Sequence, residues 1–116
     1  MPPSALSSAT DLARALRARE LSCRELLDLY LARIERLDPP LNAVVTLDVE
    51  GARRRADAAD AALARGESWG PLHGLPMTIK DTFEVAGLRT TAGAPQYREH
   101  VPRTTAVAAQ RLLDAG

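Results

Sequence analysis

The sequence predicts an α/β layer, helices packed on a mixed sheet whose remaining strands lie outside this chain. Three observations predict it: capping signatures open amphipathic helices, two apolar runs are too short for helix and rich enough in β-branched residues for strand, and a face of alanines asks for a closely packed neighbour. At 116 residues the chain falls within the size of one domain. A chain of that length buries only about 60 to 70% of its unfolded surface.

The elements follow in order. Ser8 with Asp11, and Ser22 with Glu25, each place a side-chain acceptor at a helix N-cap and a carboxylate three residues on. In the second helix Leu26, Tyr30, Ile34 and Leu37 recur at helical spacing, Leu27 and Leu31 widen the stripe, and "DPP" at 38–40 ends it by removing backbone donors. "NAVVTL" at 42–47 is β-branched and short, hence a strand. Asp48 caps a third helix with Ala52, Ala56, Ala59 and Leu63 on one face, and Gly66 supplies the left-handed residue after it. A loop rich in Gly and Pro leads to "PMTIK" at 76–80 as a strand, "DTFEVAG" as a turn or second strand, and an irregular stretch through Pro102. Helix returns at Thr104 or Thr105 and runs to Gly116, which reads as a C-cap. The organisation is leading helices with a short strand over 7–66, a lysine-bearing strand and loop over 67–103, and a helix over 104–116. These read as the opening segment of a larger domain, expected to fold only marginally alone because an incomplete sheet leaves backbone edges unpaired.

Composition narrows the function classes. Fifteen basic residues balance fifteen acidic ones, so no net charge draws the chain to nucleic acid or an anionic membrane. Aromatic residues make up 3%, too few for a base-stacking surface. Cys23 is the lone cysteine, and two histidines, His73 and His100, form no cluster with metal-ligand spacing. No run approaches the roughly 18 apolar residues that span a bilayer, and the N-terminus lacks a signal-peptide pattern, so a reducing cytoplasm is expected.

One residue stands out. Fourteen of the fifteen basic residues are arginine, and the exception, Lys80, ends the apolar run of "GPLHGLPMTIKD" at 70–81. A strand-end lysine is ordinarily a solvated charge. Here the chain uses arginine wherever charge alone is needed, which singles out a position where arginine fails. Arginine cannot release its proton, whereas a desolvated lysine falls from about 10.4 toward neutrality and becomes a base.

"GPLHGLPMTIKDTFEVAGLRTTAGAP" resembles the N-terminal part of the amidase signature family. The likeness covers nearly the whole chain: "SATDLARALRARELSCRELLDLYLARIERLDPPLNAVVTL" is similar to the family's leading helices, and "TAVAAQRLLDAG" to the helix after the lysine loop. The resemblance implies the amidase signature fold and hydrolysis of carboxamide C–N bonds, giving a carboxylate and ammonia or an amine, by a Ser, cis-Ser, Lys triad. Lys80 matches the catalytic lysine. In that mechanism its neutral amine takes a proton from the cis serine, which deprotonates the nucleophilic serine; backbone amides stabilise the oxyanion, and no metal or organic cofactor takes part. The implied partner is a small-molecule amide. The five serines, Ser4, Ser7, Ser8, Ser22 and Ser68, all precede Lys80 and lack the flanking glycines of the family's "GGSSGG" stretch, so one third of the triad is expected here and no activity from these residues alone. Ala94 also departs from the family, many of whose members carry serine there.

Other residues have structural readings. His73 is a loop histidine satisfied by backbone, Asp81 a turn-forming or supporting group, Cys23 buried filler, and "RRR" at 53–55 a solvated face offset by Glu50, Asp57 and Asp60. The competing functions are a non-enzymatic, truncated interaction module and, within the family, the amidase component of a tRNA-dependent amidotransferase.

Overall fold

In a computed structural model, which describes residues 2–116, four α-helices are joined by irregular segments. The first, α1, is Ala9–Arg17; α2 is Cys23–Leu37; α3 is Val49–Ala64; and α4 is Val107–Asp114. A 3-10 turn, Pro95–Tyr97, lies between α3 and α4.

Local chemistry sets the helix starts. Ser22 Oγ accepts from the Glu25 N–H at 3.0 Å while the Glu25 carboxylate accepts from the Ser22 N–H at 2.9 Å, a complete capping box. At α1 only half of this forms: Ser8 Oγ accepts from the Asp11 N–H at 3.1 Å, but its hydroxyl donates back to the Asp11 carboxylate at 2.7 Å, so the acid does not reach the backbone. Asp48 caps α3 through the Gly51 N–H, and Gly66 follows that helix at φ +78. The start of α4 falls at Val107, later than Thr104, because Thr105 Oγ1 is committed elsewhere, accepting from the Ala86 N–H at 3.0 Å.

Helices α1, α2 and α3 enclose the core. Leu12 and Leu16 of α1 meet Cys23, Leu26 and Leu27 of α2 and Ala56 and Ala59 of α3, with Trp69 and Leu75 packed against them. The alanine face lets α3 approach α2 closely. The seam is then closed by polar groups: Arg24 donates to Asp57 and to Asp28, and Arg53 to Asp28. Asp60, on α3, accepts from the N–H groups of Cys23 and Arg24 at 2.7 and 3.0 Å, capping α2 from a different helix.

The mixed sheet expected from the sequence does not form among the described residues. Their one β pairing is an isolated antiparallel bridge between Val85 and Leu88. A strand requires a partner ladder, and the segment at 42–47 has none; the N–H groups of Ala43 and Val44 bond the Asp38 carboxylate instead. The segment 76–80 likewise runs without a ladder. Leu41, Val45, Leu47, Met77 and Phe83 are exposed. The accessible surface of 7798 Å² exceeds the about 6,200 Å² expected of a compact monomer of this mass. The radius of gyration, 15.0 Å, likewise exceeds the about 13 Å of a closed domain of this length.

Candidate active site around the lysine loop

The turn that precedes Lys80 is seated on three elements. His73, 4% exposed, accepts from the Trp69 N–H through Nδ1 at 2.9 Å, which leaves Nε2 to donate to the Ala59 carbonyl of α3 at 3.0 Å. Both ring nitrogens are thus satisfied by backbone, and the ring is a structural pin rather than an acid or nucleophile. The C-terminus of α4 supplies the second anchor: the Ala115 carbonyl accepts from the Leu72 N–H at 2.9 Å and the Gly116 carbonyl from the Gly74 N–H at 3.2 Å. Gly74 is the third. It sits at φ +73 against the α1–α2 junction, where a Cβ would fall 2.3 Å from Cys23 Sγ. Arg55 joins the first two anchors, donating to the Leu113 carbonyl at 3.0 Å with its guanidinium 5.2 Å from the Trp69 ring centroid. Arg53 and Arg55 of "RRR" therefore have structural roles, and Arg54 is left as the solvated member.

Lys80 leaves this anchored turn exposed, and among the described residues it is in no ion pair or side-chain hydrogen bond. The desolvation that base chemistry asks of it is not supplied by these residues. Its backbone is held: the Lys80 carbonyl accepts from the Phe83 N–H at 2.9 Å. None of the five serines touches it. Ser8 and Ser22 cap helices, Ser4 and Ser7 bond each other, and Ser68 Oγ accepts from the Gly70 N–H.

Asp81 is bonded to Thr91 and not to the lysine. Its carboxylate accepts from the Thr91 N–H at 3.0 Å and from the Thr91 hydroxyl, and its carbonyl accepts from the Ala92 N–H at 2.8 Å. Thr91 Oγ1 accepts in turn from the Gly93 N–H at 3.2 Å. The hydroxyl and N–H of Thr91 hold the Asp81 carboxyl below the ordinary carboxylate value of 3.8. Sequence reasoning placed Asp81 in a turn, but its partner lies ten residues on and carries no local signal.

Cys23 is inert. It has no exposed surface, and burial, reinforced by Asp60, pushes its thiol up to about 12. No group of three or more His, Cys, Asp or Glu among the described residues is arranged to hold a metal ion. A shallow cleft of about 340 Å³ opens beside the loop, lined by Asn42, Val45, Arg89, Thr91 and Arg98 among others.

The fold has counterparts in solved structures. An amidase crystal structure matches 95% of this chain with a TM-score of 0.82 and 37% identity, over 25% of its own length. A bacterial aryl acylamidase of the amidase signature enzymes matches 94% of this chain at TM-score 0.86 and 26% identity, over 23% of its length. The sequence profile of the family described as Amidase matches residues 25–116, and the chain belongs to that family. Among curated relatives, a glutamyl-tRNA(Gln) amidotransferase subunit from Acidothermus cellulolyticus is 39% identical over 94% of this chain. The chain spans 22% of that relative's length.

Proposed function

We propose that this chain carries the proton-accepting lysine of a carboxamide hydrolase. In this reading the Lys80 amine takes a proton from a cis serine, that serine activates a second, nucleophilic one, and attack on the amide carbon releases ammonia or an amine before water frees the acid. The observation that supports it is the family match over residues 25–116, which takes in the "GPLHGLPMTIKD" stretch and its one lysine, Lys80. Both serines come from outside these residues, so the 116 residues by themselves hydrolyse no amide. The proposed substrate is a small-molecule amide in a reducing cytoplasm, which suits a lone, buried thiol.

A second reading follows from the names of the relatives, which are glutamyl-tRNA(Gln) amidotransferase subunits. There the same lysine would release ammonia for transfer to glutamate on tRNA, and that transfer would depend on partner subunits. The deciding experiment is ammonia release from simple amides by the purified full-length protein, with and without Lys80→Ala. Hydrolysis by the isolated protein, abolished in Lys80→Ala, supports the hydrolase. Release only with glutamine and glutamylated tRNA present, alongside partner subunits, supports the amidotransferase. Activity unaffected by Lys80→Ala contradicts both.

A further inference from the structure

The fold leaves Lys80 no side-chain partner among the described residues, yet the residue beside it is among the most tightly bonded in the irregular part of the chain. From 81 to 94 there is neither helix nor ladder to hold the backbone. Its two ends are joined by the Asp81–Thr91 link, two bonds to the Asp81 carboxylate, one to its carbonyl, and one from Gly93 back to the Thr91 hydroxyl, while Gly87 and Thr90 donate to the Pro102 and His100 carbonyls. These convert a ten-residue excursion into a closed loop whose base is Asp81, the residue after Lys80. Further out, Glu84 accepts from His100 Nε2 at 2.6 Å and the Glu84 carbonyl from the Ala106 N–H at 2.8 Å, so the loop is also tied to the segment entering α4.

We infer that Asp81 is a positioning residue for Lys80, acting through its bonds to Thr91 to fix where the lysine leaves the turn. This rests on the reading of Lys80 as a base. Among the described residues the Lys80 side chain has no bond to set its direction, and its carbonyl accepts only from the Phe83 N–H three residues on, so where its Cα lies depends on how the adjoining chain is held. On the N-terminal side the anchored GPLHG turn ends at Gly74, and the backbone of 76–79 between it and Lys80 makes no hydrogen bond among the described residues. The Asp81–Thr91 link holds the C-terminal side, and charge-assisted bonds to an ionised carboxylate are the strong kind. A displacement of about 1 Å in a reacting group can cost about 100-fold in rate.

The test uses the full-length protein with Asp81→Ala, Thr91→Val, Thr91→Ser, the double variant Asp81→Ala/Thr91→Val, and Lys80→Ala. Two readouts are taken: kcat and KM for an amide, and the rate at which acetic anhydride modifies Lys80, followed by mass spectrometry of the peptide containing it. The expected result is a fall in kcat of about 100-fold in Asp81→Ala and Thr91→Val with KM within about twofold, a changed acetylation rate in both, and near-parent behaviour in Thr91→Ser, which keeps the hydroxyl. Because the two residues act through one link, the double variant should be no worse than either single one. If Asp81→Ala does not fold, the contrast between Thr91→Val and Thr91→Ser decides. Folded variants with parent kcat and parent acetylation rate overturn the inference, as do losses that multiply in the double variant. If Lys80→Ala keeps full activity, the base reading fails by itself, and the acetylation rates alone decide whether Asp81 positions Lys80.

Discussion

Replacing Gly74 by alanine tests how firmly the lysine loop is seated. The residue lies in the left-handed region, and its missing Cβ is what admits Cys23 Sγ. Left-handed backbone costs a non-glycine residue about 1 to 2 kcal/mol and overpacking a further 1 to 3, so Gly74→Ala should destabilise by about 2 to 5 kcal/mol in chemical denaturation of the full-length protein. A loss under about 0.5 kcal/mol would mean the turn is not held against α1 and α2 as described. The thiol on the other side of this contact gives an independent check. Buried completely and shifted to about 12, Cys23 should resist iodoacetamide at pH 8 in the folded protein and react on unfolding. Asp81 sets an acid limit on the same loop. Its folded-state pKa is lowered, so the stabilisation is fully present above the unfolded value of 3.8 and disappears as pH falls through the lower folded value. Hydrogen exchange of the 82–94 amides should accelerate, after correction for intrinsic rates, only below about pH 4.

At the scale of elements, the junction of α2 and α3 carries a contribution that sequence inspection does not reveal. The Ser22–Glu25 box was legible because its donors and acceptors are three residues apart. The Asp60 cap was not, because its partners lie 37 and 36 residues away and only the packed fold brings them together. Asp60→Ala strips two N–H groups of α2 of their acceptor and should cost about 1 to 2 kcal/mol, within the range for a lost N-cap. Thermal unfolding of the full-length protein checks it, and an unchanged Tm would contradict the cross-helix cap. The same logic explains the strand readings. The runs 42–47 and 76–80 have strand composition, but a strand is a pairing, and the described residues offer neither run a ladder. Composition can propose a strand without supplying its neighbour.

For the whole molecule, the family and its leading helices were readable from the lysine loop and the helix stripes, and the structure shares its fold with amidase signature enzymes. Less of the site was readable. His73 is backbone-satisfied as its loop position suggested, while the singling out of Lys80 rests on its being the one lysine beside fourteen arginines. The burial that base chemistry asks for around Lys80 is absent among the described residues. The exposed Leu41, Val45, Leu47, Met77 and Phe83 carry a related consequence. Expressed alone, the 116 residues should bind a hydrophobic dye and associate, and a clean, cooperatively melting monomer would contradict that.

If Lys80 works as a proton acceptor and not as a fixed charge, Lys80→Arg in the full-length protein separates the two roles. Arginine keeps the positive charge and most of the stem, and at this exposed position it should shift stability by less than about 0.5 kcal/mol. A guanidinium cannot give up its proton, so kcat for amide hydrolysis should fall by about 100-fold or more while Tm stays at the parent value. Retention of the parent kcat by folded Lys80→Arg would contradict the account and return this lysine to the role of a surface cation.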